Sequence, residues 1–185
     1  MIKSKNKNFN TDLAGLLIVS IEQAVAAPYA SGKLADAGAR VIKIERPEGD
    51  FARKYDAAGG NKSSYFIWLN RGKEAVCLDL KNQDDKKILI NMVKKADVLI
   101  QNLLPGAVDR MVGDFGQMQK LNPSLIRCDI SGYGSSGEFA NVKAYDLLIQ
   151  AESGLSLITG AEAEPGRVGV SVCDIAAGMT AYQSI

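Results

Sequence analysis

Short aliphatic and β-branched runs alternate along this chain with stretches whose apolar residues recur at helical spacing. Residues 16–21 form an apolar run interrupted only by Ser20 that predicts a buried strand, and residues 29–37 follow as a helix with Pro28 at its start and Gly38 just past its end. Residues 40–45 predict a second strand, broken by Pro47 and Gly49. A polar passage over 50–62 leads to a short helix over 63–69 that carries the sole tryptophan, Trp68. A third strand is expected over 74–80. Asp84 and Asp85 suit the positive end of a helix that runs to Lys95. Residues 98–100 and 125–130 predict the fourth and fifth strands, residues 117–121 and 145–151 short helices, and residues 174–185 a final helix.

Strands separated by helices of this length imply parallel pairing through right-handed crossovers, hence a doubly wound α/β fold with a mainly parallel sheet. Ligands of such sheets bind beyond the carboxyl ends of the strands, here the loops after Ile21, Glu45, Leu80, Ile100 and Ile130. The expected organisation is a flexible basic tail over 1–12 and one α/β domain over 13–185. The last helical pattern reaches the final residue without a glycine, proline or basic stop signal, so the chain reads as cut rather than finished.

Composition removes several chemistries. The chain contains no histidine, so Ser-His-Asp and Cys-His arrangements and His-based zinc sites cannot be assembled from it. Cys77, Cys128 and Cys173 lie far apart and read as core cysteines of a reducing compartment, with no thiolate metal cluster. With 22 Lys and Arg against 21 Asp and Glu, nothing favours nucleic acid or an anionic membrane as partner. No run approaches 18 apolar residues and the start lacks a signal-peptide block, which together predict a soluble cytoplasmic protein.

A carboxylate nucleophile needs no imidazole. Asp174 follows a run of small residues and opens the last helical pattern, where it could attack an activated acyl group and hold it as a mixed anhydride. The same position also reads as an ordinary helix N-cap. Gly132, Gly134 and Gly137 match the G-x-G-x-x-G spacing of dinucleotide sites, but in the wrong place. That fingerprint belongs in the first β-α turn and opens a helix at once, so a flexible glycine loop over a pocket is the simpler reading. Cations recur near the strand ends: Arg46, Arg71, Lys73, Arg110 and Lys143. A polyanion with a pyrophosphate and a ribose phosphate would use several together. Ala24, Ala26 and Ala27 let a ligand approach the first helix N-terminus, and a tight packing turn explains them as well.

The residues from Ala26 to Ala30 and from Leu34 through Asp50, with the blocks at 70–80, 97–106, 122–126, 131–134 and 145–155, are similar in order to class III CoA-transferases, the family of formyl-CoA and carnitine-type transferases. The likeness runs from about Leu13 to the end. It implies a Rossmann-like CoA-binding domain, with Asp174 as nucleophile and Asp146 as its nearest rival. It implies contacts to coenzyme A at Val25, Ala26, Arg46, Asn70, Arg71, Gly72, Lys73, Asn102, Arg110, Lys143 and Tyr145, and no metal. The implied reaction moves CoA from a short acyl-CoA such as succinyl-CoA to a small carboxylic acid, a dicarboxylate by preference, through an aspartyl anhydride and an aspartyl-CoA thioester. The family also implies about twice this length, a second smaller domain, a shielding glycine loop, and a homodimer of two interlocked chains. A CoA-holding module without turnover and a nicotinamide-binding protein are the alternative expectations.

Overall fold

The computed structural model describes residues 12–185, so the tail expected over 1–12 lies, apart from Asp12, outside the described residues. Five strands alternate with helices: β1 (Leu17–Ile21), α1 (Ala26–Asp36), β2 (Arg40–Glu45), a 3-10 turn (Phe51–Lys54), α2 (Ser64–Asn70), β3 (Glu74–Cys77), α3 (Gln83–Val93) and β4 (Val98–Gln101). Then come α4 (Ala107–Val112), α5 (Phe115–Leu121), β5 (Ile126–Asp129), α6 (Asp146–Glu152), α7 (Leu155–Thr159) and α8 (Val172–Ser184). All pairings are parallel, in the order β3-β2-β1-β4-β5. The chain reverses its direction of travel between β1 and β4, which makes the gap beyond their carboxyl ends the topological switch point.

The two-residue period of the strands builds two cores. Ile18, Val41, Val98 and Ile100 pack with Ala27 and Leu34 of α1 on one face, and Tyr182 and Ile185 lie against that cluster. Val19, Ile21, Ile42, Ile44 and Leu99 point to the other face, against Leu89 and Val93 of α3, Val108 and Val112 of α4 and Met118 of α5. Each fully buried Leu or Ile contributes about 1.5–3 kcal/mol. Burial on both faces is why β1, β2 and β4 are mostly apolar rather than alternating.

Several boundaries differ from the sequence pattern. β3 ends at Cys77 rather than at Leu80, although Leu78 N still donates to Glu45 O at 2.9 Å before a turn begins at Asp79. Helix α1 begins at Ala26, three residues early. Pro28 therefore sits inside the first turn, where its missing N–H has no partner to lose. Helix α8 begins at Val172, so Asp174 is its third residue. Among the described residues no helix is long and apolar enough to cross a membrane.

Candidate active site

The loop from β1 into α1 crosses the switch point, and distant parts of the chain hold it. The Asn102 side chain, just past β4, accepts from Gln23 N at 3.0 Å and donates to Gln23 O at 2.8 Å. Ala24 adopts φ +60°, a left-handed conformation that costs an L-residue about 1–2 kcal/mol. Asp50 holds it there, accepting from Ala24 N at 3.2 Å and from Ala52 N at 2.9 Å.

Asp50 belongs to a buried ion quartet behind this turn. Lys43 Nζ donates to Asp50 at 2.7 Å and to Asn70 Oδ1 at 2.9 Å, while Lys73 Nζ donates to Glu22 at 2.7 Å and to Pro28 O at 2.8 Å. The second Glu22 oxygen accepts from Ser20 and Ser31, each at 2.5 Å. All four charged side chains are at most 2 % exposed, an arrangement that survives desolvation only because every charge is paired.

Asp174 lines a cleft together with Gln23 and Ala26 of this turn. Helix α8 lies across α1 and comes close because residue 178 is glycine. A Cβ there would stand 2.6 Å from Ala26 O and 3.0 Å from Tyr29 Cβ. Asp174 lies one turn earlier on the same helix, beside Ala26 in the wall of a cleft of about 420 Å³. It does not act as the N-cap: Ser171 precedes the helix, and the capping oxygen comes from Asp146, which accepts from Cys173 N at 2.8 Å and from Asp174 N at 3.2 Å. Among the described residues the Asp174 carboxylate enters no side-chain hydrogen bond. Burial first, and the Asp146 charge second, push its pKa up to about 6.

The expected site residues divide by location. Ala26, Asn102, Lys143 and Tyr145 line the Asp174 cleft together with Gln23 and Leu103. Arg46 lines an adjoining cleft of about 430 Å³, with Lys81, Leu78 and Met111, and the two clefts share Gln23 and Leu103 as walls. Val25 is buried as the residue before α1. The region 70–73 faces elsewhere: Asn70 and Lys73 turn inward to the quartet, Gly72 makes a left-handed turn at φ +72°, and exposed Arg71 pairs with Asp36. Arg110 is exposed on α4, outside both cleft walls.

The glycine loop at 132–137 follows β5 at the sheet edge, and the next helix opens only at Asp146. Glu45, at the end of β2 where a dinucleotide site needs a free acid, is engaged by Arg53 at 2.5 and 2.8 Å and by Asp50 N at 2.6 Å. Sequence reasoning missed the quartet. Its signal was Lys43, a charge set among the apolar residues Val41, Ile42 and Ile44, which demands a buried partner. The capping role of Asp146 left no such signal, because it depends on contact across 28 residues.

Comparison with known proteins bears on this arrangement. A 174-residue stretch is 41% identical to an acetyl-CoA:oxalate CoA-transferase of Acetobacter aceti, covering 92% of this chain and 45% of that protein. The succinyl-CoA:glutarate CoA-transferase of Mus musculus is 36% identical over 94% of this chain and 40% of its own length. Among solved structures, a CAIB/BAIF family protein from Brucella suis superimposes with a TM-score of 0.88 at 35% identity, over 95% of this chain and 48% of that one. The chain thus spans about half the length of the relatives it matches. With the family model matching residues 13–185, the chain belongs to CoA-transferase family III.

Proposed function

We propose that the chain carries the CoA-binding surface and the nucleophile of an acyl-CoA:carboxylate CoA-transferase. The observation that supports this most is Asp174: a carboxylate that enters no side-chain hydrogen bond among the described residues, with its pKa pushed up to about 6, in a cleft that adjoins a second cleft at the switch point. An extended acyl-CoA would run between the two. Arg46 and Lys81 would face its phosphates in one cleft, with Lys143 and the N-terminus of α1 in the other. Lys73 keeps its pairing with Glu22 in this reading and acts from behind the turn.

The Asp174 carboxylate attacks the thioester carbonyl, the C–S bond breaks, and CoA leaves as thiolate from a mixed anhydride. The first-turn amides of α1 at Ala26 and Ala27, which have no intrahelical acceptor, supply donors for the tetrahedral oxyanion. The thiolate then attacks the aspartyl carbonyl, which releases the donor acid and leaves an aspartyl-CoA thioester. The acceptor carboxylate repeats both steps in reverse and regenerates Asp174. The donors and acceptors named for the relatives, acetyl- or succinyl-CoA with oxalate or glutarate, support a short acyl donor and a dicarboxylate acceptor.

Binding is tested by thermal unfolding with each cofactor. CoA at a hundred times its Kd should stabilise the fold by about 2.7 kcal/mol, while NAD at the same concentration leaves Tm unchanged. A shift with NAD and none with CoA contradicts the proposal.

A further inference from the structure

Gln150, 1 % exposed, lies on α6 four residues after Asp146, one turn on and along the same face. Its Nε2 donates to Asp146 Oδ2 at 2.7 Å and lies 3.3 and 3.4 Å from the carbonyl oxygens of Val168 and Val170. Its Oε1 accepts from Val168 N at 2.8 Å. One amide hydrogen thus serves Asp146 while the other is shared by two carbonyls. The rest of the group pairs with the extended segment entering α8 as a neighbouring strand would. Asp146 passes this hold on, because its other oxygen caps α8 through the Cys173 and Asp174 amides. Helix α8 has no side-chain cap from Ser171, so the side-chain cap of its N-terminus comes from α6.

We infer that Gln150 is a positioning residue for the reacting carboxylate: it locks Asp146 against the start of α8 and thereby sets both the direction in which Asp174 meets the cleft and the like charge beside it. This rests on the reading of Asp174 as the nucleophile. No other side chain of this length meets the demands of the position. A glutamate would bring a second carboxylate against Asp146 and two carbonyls with no donor among them. A methionine would keep the volume but leave the Val168 amide and an Asp146 oxygen unpaired.

The groups around Asp174 isolate the effect. Asp146 approaches from α6, Cys173 precedes it on α8, and Lys143 and Tyr145 share the cleft wall from the loop before α6. Tyr55 approaches from beyond the 3-10 turn, its phenol pushed up to about 12 by burial and by the charges of Asp50 and Asp174. From α1, Ala26 brings no charge. Of these groups Gln150 bonds only to Asp146.

The test is a carbon-13 titration of the Asp174 carboxyl in the 185-residue chain, with Tm measured in parallel. It compares wild type, Gln150→Met, and the length-swapped pair Asp146→Glu with Gln150→Asn, which moves one methylene from one side of the contact to the other. The midpoint should lie near 6 in wild type. In Gln150→Met it should fall by about half a unit or more as the neighbouring charge is released. In the swapped pair it should return. A folded Gln150→Met protein with an unchanged midpoint overturns the inference. If that variant does not fold, the swapped pair decides: a midpoint near wild type supports the inference, and one at the level of an isolated aspartate overturns it. Transfer activity in Asp174→Asn is a separate result. It would remove the nucleophile and leave the titration, and with it the Asp146 lock, standing.

Discussion

At Asp174, position and environment oppose one another. The first turn of a helix favours an anion, yet burial and the neighbouring Asp146 charge outweigh that and push the carboxyl up to about 6. An acid raised in the folded state binds its proton more tightly there than in the unfolded chain. Its ionisation therefore weakens the fold in full above pH 6, and the penalty is relieved as pH falls through 6 toward the ordinary aspartate value. Asp174→Asn should gain about 1 kcal/mol at pH 8 in urea unfolding, after allowance for solvent screening, and nothing at pH 4. A loss at pH 8 would show that the charged carboxylate stabilises the fold and that its pKa is not raised. Glu22 behaves in the opposite sense: burial opposes its charge, but Lys73 and Lys43 outweigh burial and hold it below the usual carboxylate range. Its contribution is present above its unfolded value and is lost as pH falls through the folded one. Glu22→Gln leaves two buried ammonium groups facing Asp50 alone and should cost about 3–5 kcal/mol. Urea unfolding at pH 7 measures it, and a cost below about 1 kcal/mol would mean that the quartet is not closed to solvent.

Among the elements, the crossing of α8 over α1 decides where Asp174 stands. The crossing depends on Gly178, since a methyl there meets the Ala26 carbonyl oxygen at 2.6 Å. Gly178→Ala should push the helices apart at a cost of about 1–3 kcal/mol and quench the protection of α8 amides in hydrogen exchange. Unchanged stability would show that the crossing has slack. The elements differ in how far the sequence revealed them. β1, β2 and β4 were legible because burial on both faces makes them mostly apolar, β-branched runs, and α3 because Asp84 and Asp85 mark its start. Helix α4 was not: six residues between Gly106 and Gly113 are too short to show a period. Position 174 was recognisable as a carboxylate before a helix, but its place in the third helical residue followed from Asp146 taking over the cap, a contact no local pattern contains. Lys43 was legible in kind, as a charge needing a partner, and its partner was not.

On the scale of the whole molecule, the strand order 3-2-1-4-5 opens a crevice beyond β1 and β4, and both clefts are walled by residues that follow those strands. The Gln23 and Leu103 walls join a cation-bearing cleft to the cleft that holds Asp174. Asn102 and the quartet stiffen the turn between them from opposite sides. The site thus draws on the loops after β1, β2 and β4 and on the start of α8, with Asn70 and Lys73 acting from behind through the quartet. The most direct measurement is covalent capture. The protein is incubated with succinyl-CoA in the presence of hydroxylamine, and the hydroxamate is located by peptide mass mapping. A single label at Asp174, absent in Asp174→Asn and absent without the acyl-CoA, is the expected result. Label at Asp146 instead, or acyl transfer that persists in Asp174→Asn, would contradict the assignment of the nucleophile.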